Sequence, residues 1–194
     1  VELACRVLPN PVVGITGTNG KTTTTELTGA ILRRAGRAVA VGGNVGHALA
    51  AMPGEVPPEA TVVAELSSFQ LEHIERFRPA VAVLLNLAED HIDRHGTYRA
   101  YADAKLRVFE NQTGEDVALL CADDRGVLDE AAAGRLTGAA RRGWFSGEPG
   151  RREGPAGEGL VAGVDADGLL WVLRDGRVRG LCRRDALALR GDHN

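Results

Sequence analysis

The most constraining feature of the sequence is a glycine-containing loop at residues 17–23 that ends in Lys-Thr-Thr. It follows the β-branched run Val12–Thr16 and precedes a helical pattern that we expect over residues 21–35, with Gly36 as its C-terminal cap. Between a strand and a helix, such a loop lets backbone amides surround phosphate oxygens at the positive end of the helix dipole. The pattern predicts a nucleoside triphosphate site, and a glycine-rich turn capped by threonines is the alternative.

The loop departs in one place from the G-x-x-x-x-G-K-[ST] motif, because Ile15 stands where the first glycine is expected. The remaining positions agree with the motif, in which Lys21 neutralises the β- and γ-phosphates and the Thr22 hydroxyl binds Mg²⁺. The candidate phosphate-binding residues are Gly17, Thr18, Asn19, Gly20, Lys21, Thr22 and Thr23.

Apolar runs alternate with helical patterns along the first two thirds of the chain. Besides Val12–Thr16, we expect strands at residues 39–41, 61–64, 80–85 and 117–121, whose almost wholly apolar composition is typical of parallel strands covered on both faces. We expect helices at residues 21–35, after a capping box at 67–70, at 98–111 and at 127–133. The apolar positions of the first helix are Leu27, Ala30, Ile31 and Leu32. This alternation predicts an α/β fold, a mostly parallel P-loop sheet flanked by helices.

The C-terminal third of the sequence has a different pattern. Residues 147–159 are rich in Gly, Pro and Arg and are predicted as a loop. The runs at 169–173 and 177–180 flank Arg-Asp-Gly, which predicts a hairpin and therefore a small antiparallel β extension near the C-terminus.

Two polar segments follow predicted strands. Glu65 ends the third strand, where a carboxylate can reach a nucleotide-bound metal, although a solvated acidic residue is the alternative. Residues 86–90 lack the lysine of the guanine-reading N-K-x-D motif, because Leu87 occupies its place, and this weakens a regulatory GTPase interpretation. In residues 90–95, His91 is a candidate metal or phosphate ligand, and a polar loop with an aspartate helix cap is the alternative.

Lys21 and Lys105 are the only lysines among 23 basic residues. Arginine is a poor substitute where chemistry needs a compact ammonium or a nucleophilic amine. Lys105 lies inside a predicted helix, where a lysine is usually a solvated charge, but its rarity here favours a functional role.

Composition excludes several classes of protein. The net charge of −3 and the pI near 6.0 indicate no nucleic-acid-binding surface. No apolar run approaches the ~20 residues of a membrane-spanning helix, so we expect no membrane contact. The three cysteines form no C-x-x-C pair, which fits a reducing compartment. Since Met52 is the only methionine, we expect the sequence to be part of a longer chain.

Five segments together resemble the middle domain of the Mur ligases. The stretch Glu-Leu-Ser-Ser-Phe-Gln-Leu-Glu is most similar to the members that use D-glutamate, and Gly-Asp-His-Asn at 191–194 resembles the hinge to the C-terminal domain of the family. The five segments are residues 17–22, 42–46, 65–72, 86–93 and 104–107.

The resemblance implies an ATP-dependent ligase. In the family, a substrate carboxylate attacks the γ-phosphate of ATP, and an amine then displaces phosphate from the resulting acyl phosphate. Lys21 would hold the β- and γ-phosphates, Thr22 and Glu65 would bind Mg²⁺, and His91 would belong to a second metal site. Lys105 matches a lysine that is carbamylated to become a metal ligand. Asn44 and Ser67 match positions near the substrate, and Asn194 matches a hinge asparagine near adenine.

The resemblance also implies partners and a domain organisation. The expected cofactors are ATP and Mg²⁺, and the expected substrates are UDP-N-acetylmuramoyl-L-alanine and D-glutamate, used by a cytoplasmic monomer. Residues 1–10 would be a linker from an N-terminal domain, 11–190 the central ATP-binding domain and 191–194 a hinge. We expect these 194 residues alone to bind ATP weakly and not to ligate. A sibling Mur ligase, a folylpolyglutamate synthase, a P-loop switch or motor ATPase and a non-catalytic scaffold fragment remain as alternatives.

Overall fold

A computed structural model describes residues 1–187 as an α/β fold built on one nine-stranded sheet. The strands are β1 (Val12–Thr16), β2 (Val39–Gly43), β3 (Thr61–Glu65), β4 (Val81–Leu84), β5 (Val117–Cys121), β6 (Arg141–Phe145), β7 (Leu160–Val164), β8 (Leu169–Arg174) and β9 (Arg177–Arg183). Their order is β2-β3-β1-β4-β5-β6-β7-β8-β9. Neighbours are parallel from β2 to β7 and antiparallel from β7 to β9, which confirms the predicted fold class.

Helices cover the parallel part of the sheet. They are α1 (Glu2–Cys5), α2 (Lys21–Arg34), α3 (Ser68–Leu71), α4 (Ile92–His95), α5 (Tyr98–Leu106) and α6 (Arg125–Ala132). Short 3₁₀ helices lie at Leu49–Ala51, Arg107–Phe109, Pro155–Gly157 and Arg184–Ala186. No helix within residues 1–187 is long and apolar enough to cross a membrane.

The central strands β1, β3 and β4 are covered on both faces. Since successive side chains of a strand point to opposite faces, Val62 and Ala64 join the larger core while Val63 packs with Ile15 and Val83 on the other face. This two-sided burial explains why the strands are apolar almost throughout.

The prediction of which α2 residues form its buried apolar face is largely wrong. Leu32 packs against the sheet, but Leu27 and Ile31 are 39% and 59% exposed, and Ala30 is also exposed. The buried positions are instead Thr25 and Gly29. The expectation relied on side-chain polarity, whereas this helix approaches the sheet through its smaller residues.

Gly29 shows why size decides the contact. A β-carbon there would lie 2.3 Å from Cγ2 of Val41, so only glycine lets α2 approach β2 this closely. Close packing at this point fixes α2 over the sheet and therefore fixes its N-terminus beside the end of β1.

Residues 1–10, expected to be a linker, contain the single helical turn α1. Ala4 and Leu8 of this segment are buried in the larger core. Pro9 and Pro11 come after this turn, so they do not prevent it from forming.

Glu2 attaches this segment to the loop before β4. Its Oε2 accepts hydrogen bonds from the consecutive backbone amides of Glu75, Arg76 and Phe77 at 2.9, 2.9 and 3.0 Å. Burial alone would raise the pKa of the Glu2 carboxyl, but these bonds and one from Arg6 lower it to about 2. The contact lies at the edge of the sheet opposite residues 17–23, which we call the phosphate loop.

The C-terminal part of the sheet was predicted incompletely. The hairpin of β8 and β9 is confirmed, with Asp175 and Gly176 at φ values of 53° and 70°, as a two-residue hairpin turn of the primed type requires. The loop at 147–159 is confirmed apart from a 3₁₀ turn and an isolated bridge. Strands β6 and β7 were missed. Arg141–Phe145 begins with two arginines and has no apolar run, whereas Leu160–Val164 is apolar but was not recognised as a strand.

Candidate active site

The predicted strand–loop–helix unit is confirmed at residues 12–34. Thr16 ends β1, Lys21 begins α2, and Gly20 before the helix has a φ of 80°, in the left-handed region that favours glycine. The first amides of an α-helix have no acceptor within the helix. Within residues 1–187, no hydrogen bond engages the backbone amides of residues 20–23, so they are available to an anion.

Two ammonium groups lie against carbonyl groups of the loop. Lys21 Nζ donates to the carbonyl of Thr18 at 2.8 Å, and Lys105 Nζ donates to the carbonyl of Gly17 at 2.7 Å. The Thr18 hydroxyl is also bonded to the hydroxyl of Tyr101 at 2.8 Å. The two lysines of the chain therefore meet at one loop.

Lys105 is a buried amine rather than a solvated charge. It is 2% exposed, and its Nζ lies 4.9 Å from the centre of the Tyr101 ring. Burial lowers the pKa of Lys105 to about 7, and the charge of Lys21 acts in the same direction, while Asp90 and Glu65 oppose the shift. A substantial fraction of this amine is therefore neutral near pH 7.

Glu65 lies directly beside the start of α2. Its Oε2 accepts from the Thr22 hydroxyl at 2.7 Å, its Oε1 accepts from Asn44 Nδ2 at 3.0 Å, and the residue is 3% exposed. A β-carbon on Gly43 would lie 2.2 Å from the Glu65 carbonyl oxygen, so glycine is needed for this approach. The paired hydroxyl and carboxylate oxygens are ligands that suit Mg²⁺, which also takes oxygens from phosphates.

His91 lies further out. It is exposed, its φ is 51°, and its Nε2 is 3.6 Å from Asp90 Oδ2. No hydrogen bond or ion pair joins it to Thr22 or Glu65 among residues 1–187, and over that range no three His, Cys, Asp or Glu side chains are grouped as a metal site. Its metal role stays a prediction.

His95 is the buried histidine of the same segment. Its side chain is 2% exposed, with Nε2 2.9 Å from Ser68 Oγ and Nδ1 3.1 Å from Glu72 Oε1. Its ring is stacked on Phe69 and meets the edge of Tyr101. The residue thus connects α3 to α5, a role that the sequence pattern did not reveal.

Two further residues, Ser67 and Asn194, were predicted to belong to the site. Ser67 caps α3, and its capping box with Gln70 is confirmed, so its hydroxyl has a structural partner. Asn194 lies outside the described residues. Sequence reasoning missed Tyr101 as a site residue. It used Asn86 to test for guanine recognition and as part of the segment 86–93 that resembles the family, but assigned it no role. The position of both residues at the loop follows from the pairing of β1 with β4 and from the path of α5, which local patterns do not show.

Comparison with known proteins agrees with this geometry. The Mur ligase middle domain family matches residues 15–139. The UDP-N-acetylmuramoylalanine–D-glutamate ligase of Pelobacter propionicus is 54% identical over 131 residues, which cover 68% of this chain and 29% of that protein. The corresponding ligase of Geotalea uraniireducens is 56% identical over 136 residues, covering 70% and 30%. The match therefore spans less than a third of the length of these relatives.

The fold is shared with solved structures at lower identity. MurF ligase from Thermotoga maritima, in complex with ADP, superposes with a TM-score of 0.63 at 20% identity and covers 93% of this chain and 42% of its own. With the family match over residues 15–139 and the phosphate loop of the expected geometry, the chain belongs to the Mur ligase family and contains its middle domain.

Proposed function

We propose that this chain is the ATP-binding domain of a ligase that joins D-glutamate to UDP-N-acetylmuramoyl-L-alanine through an acyl phosphate, with release of ADP. The observation that carries the proposal is the contact of Thr22 with Glu65 beside the free amides of residues 20–23. Relatives that are 54% and 56% identical are named for this reaction, which supports the choice of substrates.

The proposed roles at the nucleotide follow from charge and donor type. The amides of residues 20–23 bind phosphate oxygens, and Lys21 exchanges its carbonyl partner for the β- and γ-phosphates. Thr22 and Glu65 would hold Mg²⁺, and a bound Mg²⁺ would supply charge neutralisation at the phosphates. Phosphoryl transfer requires positioning and charge neutralisation above all, and these residues provide both.

Lys105 is proposed to react as a neutral amine. Its nitrogen adds to carbon dioxide, one N–C bond forms and one proton leaves, so the side chain becomes a carbamate with a negative charge. Burial favours this reaction because it keeps a fraction of the amine unprotonated. The carbamate and His91 are the proposed ligands of a second metal.

Substrate contacts are assigned to Asn44 and Ser67, which flank Glu65 on two neighbouring loops. Asn44 Nδ2 already lies on the Glu65 carboxylate, so a substrate group there would be close to the metal-binding pair. Asn194 is proposed to lie near adenine. The domain is proposed to span residues 11–190, between a linker at 1–10 and a hinge at 191–194.

The proposed location is the cytoplasm, where nucleotide-sugar substrates are made, and the proposed state is a monomer. The amino acid and the adenine contacts are proposed to come partly from other domains. We therefore expect these 194 residues to bind Mg–ATP weakly and to release no phosphate in the presence of D-glutamate.

The test of the proposal is an assay of the longer protein that contains this chain. Phosphate release is measured with UDP-N-acetylmuramoyl-L-alanine and, in turn, D-glutamate, L-glutamate and meso-diaminopimelate. The proposal expects phosphate release with D-glutamate and none with the other two amino acids. Turnover with meso-diaminopimelate indicates a sibling ligase, use of a folate with L-glutamate indicates a folylpolyglutamate synthase, and ATP hydrolysis without any acid substrate indicates a switch or motor ATPase; each contradicts the proposal.

A further inference from the structure

The side chain of Asn86 is bound to the backbone of the phosphate loop by three hydrogen bonds. Its Oδ1 accepts from the amides of Thr18 and Asn19 at 2.9 and 2.8 Å, and its Nδ2 donates to the Asn19 carbonyl at 3.1 Å. Asn86 follows β4, which pairs directly with β1. The contact is therefore fixed by two neighbouring central strands and not by the loop alone.

These bonds divide the loop amides into two groups. Thr18 and Asn19 have an acceptor in the Asn86 side chain, whereas residues 20–23 have none within residues 1–187. Phosphate oxygens need donors that are free. Residues 20–23 are thus the phosphate-binding group, and residues 18–19 form the frame that holds it.

The same carboxamide has both polar atoms bonded to the loop, and only the second N–H of its Nδ2 is left for another acceptor. In a guanine-binding motif, an asparagine at this strand end recognises the base, but here both its oxygen and its nitrogen are bonded to the loop. The asparagine at the position compared with the N-K-x-D motif therefore binds the backbone of the loop.

We propose that Asn86 is a positioning residue that holds the phosphate loop in its binding conformation and so sets the affinity for the triphosphate. This inference rests on the proposed ATP-binding function. A neutral carboxamide suits the position because it accepts from two amides and also donates to a carbonyl. A carboxylate would lose the donated bond and would add negative charge close to phosphate oxygens.

Two variants and a matched control separate positioning from general stability. Asn86→Ala removes all three bonds, and Asn86→Asp keeps the acceptor but changes the charge. The control is Asn111→Ala, because Asn111 Nδ2 also bonds to backbone, at the carbonyls of Glu75 and Phe77 at 3.2 and 3.1 Å, far from the loop in the fold.

The first measurement is amide hydrogen exchange by NMR in the chain without nucleotide. Asn19 is the diagnostic residue, because the Thr18 amide keeps a second acceptor in the Asn86 carbonyl at 3.1 Å. Asn86→Ala is expected to speed exchange at Asn19 about tenfold, while Asn86→Asp and Asn111→Ala leave it near the wild-type rate. Unchanged exchange at Asn19 in Asn86→Ala overturns the proposal.

The second measurement is the affinity for Mg–ATP by titration calorimetry. Asn86→Ala is expected to weaken binding about tenfold and Asn86→Asp still more, with Asn111→Ala within about twofold of wild type although its melting temperature falls. An equal loss of affinity in Asn111→Ala overturns the proposal. A wild-type chain that binds no Mg–ATP refutes the proposed function instead, and exchange at Asn19 still decides whether Asn86 holds the loop.

Discussion

At both edges of the parallel sheet one side chain accepts hydrogen bonds from consecutive loop amides, but the acceptor is neutral at one edge and negatively charged at the other. At the edge that carries the phosphate loop, the neutral oxygen of Asn86 accepts from two consecutive amides, those of Thr18 and Asn19. At the opposite edge, the carboxylate of Glu2 accepts from three consecutive amides in the loop before β4. Each side chain therefore fixes a loop through its backbone.

The difference in charge matches what each edge must do. A carboxylate binds amides more strongly than a neutral oxygen, so Glu2 is the better choice where only stability matters. The Glu65 carboxylate already lies beside residues 20–23, on the Thr22 hydroxyl, so a second negative charge at position 86 would add to the repulsion of phosphate. The comparison indicates that the loop edge is built to admit an anion and the opposite edge is built to be closed.

The largest effect is expected from Lys21→Ala. Removing the ammonium takes away a charge partner of the phosphates, so the affinity for Mg–ATP should fall about a hundredfold or more. The free energy of unfolding should change little, since the only hydrogen bond of the Lys21 side chain within residues 1–187 goes to the carbonyl of Thr18. Calorimetric titration checks the affinity, and thermal melting checks the stability. A variant that binds Mg–ATP as tightly as wild type would contradict the assignment of the loop edge to phosphate binding.

Glu2→Ala should have the opposite profile. Three amides lose their acceptor, so the free energy of unfolding should fall by about 2 kcal/mol, measured by urea denaturation. The affinity for Mg–ATP should stay within about twofold of wild type, because the contact lies at the other edge. A Glu2→Ala variant with unchanged stability and weakened nucleotide binding would contradict the division between the edges.

Acid should reveal the Glu2 contribution. The pKa of Glu2 is lowered from 4.5 to about 2, so its stabilisation is complete above about pH 4.5 and is lost as the pH falls towards 2. The difference in unfolding free energy between wild type and Glu2→Gln should therefore shrink across this range. Burial acts to raise the pKa of Asp116, but hydrogen bonds from Arg78 and Thr113 lower it. Asp116 is present in both proteins, so its contribution cancels in the difference. A difference that grows in acid would refute the assignment.

Arg6→Ala should have the smallest effect. Arg6 Nε lies 2.9 Å from Glu2 Oε1, and Arg6 Nη2 lies 2.8 Å from Glu75 Oε2. The Arg6 side chain is exposed, and exposed ion pairs contribute little to the free energy of unfolding. The melting temperature should fall much less than in Glu2→Ala. Equal losses in the two variants would mean that the ion pair, and not the three amides, holds the segment.

Local chemistry made much of the loop edge predictable. The order strand, glycine loop, Lys-Thr and helix specifies a phosphate loop because each part has a separate physical reason to be there. The rarity of lysine directed attention to Lys105, and the structure brings it to the Gly17 carbonyl. The strand end at Glu65 predicted a carboxylate that can reach a nucleotide-bound metal, and the structure brings this carboxylate to the Thr22 hydroxyl.

What could not be predicted depends on neighbours far apart in sequence. The contacts of Asn86 and Tyr101 with Thr18 require the pairing of β1 with β4 and the course of α5. The face of α2 depends on the small size of Gly29 against Val41, which an apolar pattern does not register. The strand β6 carries arginines where a pattern search expects apolar residues.

The most direct test of the account is to add Mg–ATP to the isotopically labelled chain and follow its backbone amide resonances by NMR. The account predicts a saturable response that is largest at the amides of residues 20–23, that requires Mg²⁺ for full strength and that leaves the amides bound by Glu2 unchanged. A response absent from residues 20–23, or centred on the β8–β9 hairpin, would contradict it.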